Sequence, residues 1–189
     1  IPNLITFDMG GTSTDVALLR GGEAAVASEA NVHGYPIKAP MLDIHTVGAG
    51  GGSIAYIDSG GLLKVGPRSA GANPGPVCYG LGSTEPATTD ANVVLQTLNP
   101  EYLLGGRMKI DQAKSKEAIA RLADPLGLDL MTTAQGIISV VTANMAKAIR
   151  VISVQRGHDP RDYALVAFGG AGPLHAARLA RELEMKTIV

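Results

Sequence analysis

The chain has 189 residues, with 16 basic against 17 acidic side chains, one cysteine and only 4% aromatic residues. That balance gives no electrostatic case for nucleic acid or an anionic membrane surface, and the shortage of aromatics removes the stacking platforms of single-strand binders. Cys78 cannot form an internal disulfide and no Asn-x-Ser/Thr sequon is present, so a reducing compartment, the cytoplasm, is expected.

At this length the chain can bury one good core, or one domain with a substantial insertion. No apolar run approaches the roughly 20 residues of a membrane span, and no basic region precedes an apolar one, so neither a span nor a leader is expected. The opening on Ile1-Pro2 and the strand-like close on Thr187-Ile188-Val189 read as a piece of something longer.

Residues 1 to about 66 read as strands and turns. Leu4–Phe7 and Val16–Leu19 flank "DMGGTSTD", the signature of a β-hairpin; a strand is also expected near Ala24–Ala27. Ile54–Ile57 and Leu62–Val65 flank Asp58-Ser59-Gly60-Gly61, a second hairpin. Residues 67 to 106 are rich in Pro, Gly, Ser and Thr, and so long an irregular stretch is uncommon unless it is functional. Only Asp90–Leu98 looks helical there, stopped by Asn99-Pro100.

From 107 onward the pattern turns helical. Asp111 caps a helix ending at Asp124-Pro125, and Thr132 or Thr133 starts a longer one whose apolar positions 137, 138, 141, 145, 148, 149 and 152 keep helical spacing as far as Gly157. Ala164–Phe168 then reads as a buried strand, Gly169–Gly172 as a turn and Pro173 onward as a helix, which implies a parallel βαβ element.

The hairpin carries the first chemistry. Gly10 and Gly11 leave backbone N–H groups free to turn towards an anion, and the hydroxyls of Thr12, Ser13 and Thr14 can donate to phosphate oxygens. Asp8 and Asp15 suit the Mg²⁺ that accompanies phosphates, Asp8 holding it through water because Mg²⁺ gives up its hydration reluctantly. The plainer reading is a tight hairpin whose acid and hydroxyls bond only the turn. No Gly-Lys-Ser/Thr phosphate loop is present, and the dinucleotide fingerprint fails at Ser53 and at His175.

Asp-x-Gly-Gly-Thr-x-Thr-Asp between two strands resembles the phosphate loop of the actin-like ATPase superfamily. The phrases "DMGGTSTDVALL", "MLDIHTVGAGGGSIAYID", "VGPRSAGANPGPVCYG", "TTDANVVLQ" and "VQRGHDPRDYALVAFGGAGPLHA" together resemble the A subunit of the hydantoinase, 5-oxoprolinase and acetone carboxylase family, over nearly the whole chain. The resemblance implies an α/β fold, an actin-like (ribonuclease H-like) ATPase lobe with mixed sheet, flanking helices and an inserted loop-rich region. It corresponds to the second lobe of a longer enzyme, here a single hydantoinase A-type domain over 1–189.

It further implies ATP and Mg²⁺ as cofactors, a cyclic amide such as hydantoin or 5-oxoproline, or a ketone, as substrate, and a partner B subunit or fused B domain. ATP would phosphorylate the amide oxygen, making the ring carbon more electrophilic. The full-length enzyme is expected to be oligomeric, to act without nucleic acid or membrane, and to lose its activity when reduced to this one lobe. By the same analogy Gly169, Gly170, Ala171 and Gly172 lie against the adenosine; the plainer reading is a strand-to-helix turn that needs glycine for packing.

Four further groups are candidates. Asp43 and His45 point the same way on a strand and would act as a base with its orienting partner or as metal ligands, although a hydrogen-bonded core histidine is the commoner case. Gly50, Gly51, Gly52 and Ser53 would line the substrate or the γ-phosphate. Arg68, with Ser69 and Gly71, is a candidate clamp for an anion or carbonyl, against the plainer surface ion pair. Asp90 and Asn92 would contact substrate or only cap a helix. Asn73 stands where family members commonly have Asp, which removes a charge there. Cys78 reads as a small buried thiol, and His33, His158 and His175 receive no role.

Three other functions remain open at this stage: a nucleotide-gated interaction module of the actin or heat-shock 70 type, an ATP-dependent ketone carboxylase subunit, and a sugar kinase. A switch would be stimulated by a protein partner and not by a lactam; a kinase would release a phosphorylated sugar.

Overall fold

A computed structural model describes residues 1–32 and 35–189. His33 lies outside them. Ten strands come first: β1 (Leu4–Met9), β2 (Thr14–Arg20), β3 (Glu23–Ala24), β4 (Val26–Ala27), β5 (Ala30–Val32), β6 (Tyr35–Ile37), β7 (Met41–Leu42), β8 (Ile44–Val47), β9 (Ser53–Ile57) and β10 (Leu63–Ser69). Then follow α1 (Thr88–Val94), α2 (Gln112–Leu126), α3 (Leu130–Ile152), β11 (Ala164–Phe168), α4 (Gly172–Glu182) and β12 (Thr187–Ile188).

The main sheet is mixed. Its order is β12-β11-β1-β2-β3, with β8 also pairing β2; β1 runs antiparallel to β2 and parallel to β11, and β11 is parallel to β12. The hairpin and the βαβ element expected from the sequence are therefore one structure, joined along β1.

Strand periodicity decides the faces. Ile5, Phe7, Met9, Val16 and Leu18 are buried on one face, while Leu4, Thr6, Asp8, Asp15, Ala17 and Leu19 occupy the other and are only half-buried. Helix α3 covers the buried face. Ile137, Ile138, Val141, Met145, Ala148, Ile149 and Ile152, the stripe read from the sequence, all pack into this core, and α4 adds Ala176, Leu179 and Ala180. Each large apolar side chain so buried contributes about 1.5–3 kcal/mol relative to exposure.

Four sequence expectations change in detail. Helix α3 starts at Leu130 rather than Thr132 or Thr133, because the Asp129 carboxylate caps it by accepting from the Thr132 N–H at 2.8 Å, and it ends at Ile152, short of Gly157. The segment 130–156 does have the length and apolarity of a membrane span, but in this fold it is the central core helix, with its apolar stripe packed on the sheet. Helix α2 does not stop before Pro125: its last turn continues to Leu126 and ends at Gly127, a left-handed cap with φ +65, because a proline this near the end removes only one ladder bond. Helix α1 is shorter than Asp90–Leu98 and starts earlier, at Thr88, since Ala87 takes the extended cap position.

One buried carboxylate gathers three parts of the long irregular stretch and its neighbours. Asp90 is fully buried and accepts from the backbone N–H of Val77 (3.1 Å), Cys78 (2.8 Å) and Ala87 (2.8 Å) and from the Ser115 hydroxyl (2.7 Å). A single side chain thus ties α1, α2 and the 77–79 turn together.

Candidate functional site

The hairpin turn between β1 and β2 closes with the Gly10 N–H donating to the Ser13 carbonyl at 3.0 Å. The glycine run packs directly on that turn. The Gly51 N–H donates to Gly10 O (3.0 Å) and the Gly52 N–H to Gly11 O (2.6 Å), and a Cβ on Gly50 would lie 2.7 Å from the Gly11 carbonyl. Glycine is required here for close approach of two backbones. Thr14 is fully buried and its hydroxyl donates to Ala49 O at 2.5 Å, while the Ser53 hydroxyl accepts from the Gly50 N–H at 2.8 Å.

The third wall is the turn between β11 and α4. Gly169 has φ +84, a region that favours glycine, and a Cβ there would strike Asp8 Oδ1 and lie 2.6 Å from Met9 O. The Ala171 N–H donates to Met9 O at 2.9 Å. The turn is therefore seated against the end of β1, beside Asp8.

Between these walls lies a cleft of about 390 Å³. Its lining combines backbone and small residues, Gly10, Gly11, Gly51, Gly52, Gly71, Ala72, Thr89, Gly170 and Ala171, with the larger Pro76, Tyr79, Leu98, Leu103, Leu104, Met108 and Leu174. Asn92 also borders it. No charged side chain lines it among the described residues.

Several sequence candidates converge here. Gly10, Gly11, Gly51, Gly52, Gly71, Asn92, Gly170 and Ala171 line the cleft; Thr12 is exposed on the hairpin, where its hydroxyl accepts from Ser69 at 3.4 Å. Ser13 is half-buried beside it, and Gly172 begins α4. Asp8 and Asp15 lie just outside, opposite each other in the β1–β2 register, with the Asp15 carboxylate accepting from the Thr46 hydroxyl.

Other candidates are engaged elsewhere. Asp43 lies between β7 and β8 and pairs with Arg156, and His45 stands opposite Val16 on β8. No group of three His, Cys, Asp or Glu side chains fit for a metal occurs among the described residues. Arg68 is held by Glu85 at 2.7 Å and lies over Tyr56, 5.8 Å from the ring centroid, so it turns away from the cleft. Asp90 spends its lone pairs on the fold, and Gly50, Ser53 and Thr14 hold the walls together. Burial raises the pKa of the Cys78 thiol, as expected of an inert core thiol.

Sequence reading missed three things. The apolar wall from Leu98 to Met108 has no periodicity to betray it. The Thr89 hydroxyl, which donates to Gly51 O at 2.8 Å, falls just before the helix expected at Asp90–Leu98 and drew no role. His175 is fully buried on the first turns of α4, with its Nε2 3.2 Å from Asn92 Nδ2, and burial lowers its pKa to about 4, with a further push from the Arg178 charge. Its ring looked like one more helix residue.

A mixed sheet flanked by helices, with a glycine-walled cleft at the strand ends, defines an α/β domain. The chain belongs to the Hydantoinase/oxoprolinase family, whose model matches residues 1–189. It is 48% identical to the caprolactamase subunit alpha of Pseudomonas jessenii, covering all of this chain and 27% of that one, and 46% identical to the acetophenone carboxylase gamma subunit of Aromatoleum aromaticum (96% and 25%). With 5-oxoprolinase 1 of Arabidopsis thaliana the identity is 43% (98% and 16%). Among solved structures, the ATP-dependent caprolactamase of Pseudomonas jessenii superposes with a TM-score of 0.92, covering all of this chain and 27% of that one. A nucleotide-free acetone carboxylase gives 0.91 at 33% identity (99% and 27%). The chain thus spans about a quarter, or less, of the relatives it matches.

Proposed function

We propose that this chain is the nucleotide-binding lobe of an ATP-dependent enzyme that phosphorylates and opens a cyclic amide, working with a B subunit or B domain. The observation that carries the reading is the meeting of the glycine hairpin at 10–13 with the 169–172 turn at Asp8, inside a chain whose relatives are an ATP-dependent caprolactamase and 5-oxoprolinases. The sheet order, a three-strand antiparallel unit of β8, β2 and β1 continued by parallel β11 and β12, supports an actin-like lobe.

Exposed hairpin N–H groups, with Thr12, would cradle the phosphates, and Gly170 and Ala171 would adjoin the nucleoside. Asp8 and Asp15 fit a divalent cation: they stand directly opposite on one sheet face, neither takes part in an ion pair among the described residues, and like charges so placed repel. When bound, Mg²⁺ would neutralise charge on the phosphates; two carboxylates with water completing the shell is the coordination it favours. Asp8 and Asp15 would orient that shell, and the buried Thr14–Ala49 bond would keep the hairpin rigid beneath it.

In the chemistry proposed, the amide oxygen attacks the γ-phosphorus and ADP leaves. Water adds to the carbon, the C–N bond breaks and frees the ring nitrogen as an amine, and a second water cleaves the acyl phosphate at carbon. This lobe supplies positioning and charge neutralisation for the first step. The kinship with acetophenone and acetone carboxylase subunits favours, as second reading, activation of a ketone oxygen. A reducing, cytoplasmic location and an oligomeric full-length enzyme, inactive as this lobe alone, complete the proposal.

The test is ADP release by the full-length protein with its B partner and Mg²⁺, offered caprolactam, hydantoin, 5-oxoproline or acetone. Stimulation by a cyclic amide supports the reading. Hydrolysis stimulated only by acetone moves it to the carboxylase class, and hydrolysis indifferent to all four contradicts it.

A further inference from the structure

Asn92 and His175 come from separate elements and meet at the cleft wall. Just past α1, Gln96 adopts φ +57 and reverses the chain, so that the Thr97 N–H reaches Asn92 O (3.0 Å) and the Thr97 hydroxyl lies 2.8 Å from Asn92 Oδ1. The same hydroxyl lies 3.1 Å from the Asn92 backbone O; donated to the nearer Oδ1, it fixes the amide oxygen on the Thr97 side. Nδ2 then faces His175 Nε2 at 3.2 Å. An amide nitrogen only donates, so Nε2 must accept and the imidazole must be neutral, with its proton on Nδ1.

This arrangement has a cost. His175 Nδ1 is buried without any partner among the described residues, and an orphaned donor of this kind is unfavourable compared with an apolar side chain. Packing alone does not account for an imidazole there. What it does is take a second bond from the Asn92 amide: with Thr97 on Oδ1 and His175 on Nδ2, the amide is held at both ends. Asn92 is 4% exposed, borders the cleft, and has a second Nδ2 hydrogen with no protein partner among the described residues.

We propose that His175 is a positioning residue, holding the Asn92 amide so that one N–H is presented to an acceptor atom of an uncharged ring bound in the cleft. The neighbouring Leu98, Leu103, Met108 and Leu174 would take the apolar edge of that ring. Two ligands of the proposed reaction carry this chemistry, the cyclic amide and the base of ATP. The inference rests on the proposed function only for the identity of the occupant.

The experiment uses the full-length protein with its partner subunit and compares wild type with His175→Leu, His175→Gln, Asn92→Ala and the His175→Leu/Asn92→Ala double variant. KM for caprolactam and for ATP are read separately, with Tm alongside. His175→Leu should raise one of the two KM values about 3–10-fold, the worth of one neutral hydrogen bond, with kcat within about two-fold. The affected ligand is the one Asn92 touches. His175→Gln keeps an acceptor at the reach of Nε2 and should recover most of the loss, and the double variant should be no worse than Asn92→Ala, because His175 acts only through Asn92.

If no substrate stimulates ADP release, the proposed function has failed, and the same variants are compared by calorimetric Kd for a non-hydrolysable ATP analogue and for caprolactam. Unchanged KM or Kd for both ligands in His175→Leu, additive effects in the double variant, or absence of binding of either ligand to wild type overturns the proposal. Should His175→Leu fail to fold, Asn92→Leu carries the test, and unchanged values for both ligands then overturn it.

Discussion

Asp8 and Asp15 face each other across β1 and β2, partners in the same register on the half-buried face of the sheet, one beside Gly169 and the other bonded to Thr46. Two carboxylates in this position repel, so neutralising one should not harm the fold. Asp8→Asn is expected to keep or slightly raise Tm while lowering ATP-dependent turnover of the full-length enzyme by 100-fold or more, roughly the size seen when one charge-stabilising group is removed from a transition state. Turnover within a few-fold of wild type would take Asp8 out of the mechanism.

Gly169 should tolerate nothing larger. Its φ of +84 and the closeness of Asp8 and Met9 mean that Gly169→Ala adds both backbone strain and a clash with the main chain. A loss of about 1–3 kcal/mol in urea unfolding is expected, with loss of ATP binding. An unchanged urea midpoint would show that the turn is not seated on β1 as described.

Asp90 and Arg68 were both plausible substrate ligands in the sequence, and the structure gives them different duties. Asp90→Ala orphans three backbone N–H groups and the Ser115 hydroxyl and should cost about 3–5 kcal/mol. Arg68→Ala breaks an exposed pair with Glu85 and an exposed contact with the Tyr56 ring, so Tm should change little and KM should stay within error. Both are read by thermal unfolding with steady-state kinetics, and a raised KM in Arg68→Ala would return that residue to the site.

His175 makes stability depend on pH. Its folded pKa, lowered by burial to about 4, lies below the ordinary 6.5, so the unfolded chain binds a proton that the fold refuses. Stability from this group is complete above about 6.5, is lost as pH falls from there towards 4, and levels off below; the full effect is roughly 3 kcal/mol. Urea midpoints across that window should fall for wild type and fall less for His175→Gln. Parallel curves would place the titration elsewhere.

The main sheet and helices were legible because periodicity survives in a single sequence. The 137–152 stripe repeats at helical spacing, the hairpin alternates, and Gly169–Gly172 interrupts an otherwise regular strand and helix. What stayed hidden depends on partners far apart in the chain. Asp43 looked like half of a pair with His45, yet its partner is Arg156, 113 residues away. Thr14 looked like a phosphate donor, but its hydroxyl is taken by Ala49. Asp90 looked like a cap or ligand, and nothing local announces the backbone N–H groups of 77 and 78 that surround it. The apolar lining of the cleft was least visible, since Leu98, Leu103 and Met108 belong to a stretch without any period.

The most direct measurement follows the carbonyl oxygen of the substrate. Caprolactam labelled with ¹⁸O at the amide is incubated with the full-length enzyme, its B partner, Mg²⁺ and ATP, and the inorganic phosphate and ring-opened amino acid are analysed by mass spectrometry. Phosphorylation of that oxygen followed by cleavage at carbon predicts the label in phosphate. Unlabelled phosphate, with the label retained in the carboxylate, would contradict the proposed route by which this lobe couples ATP to ring opening.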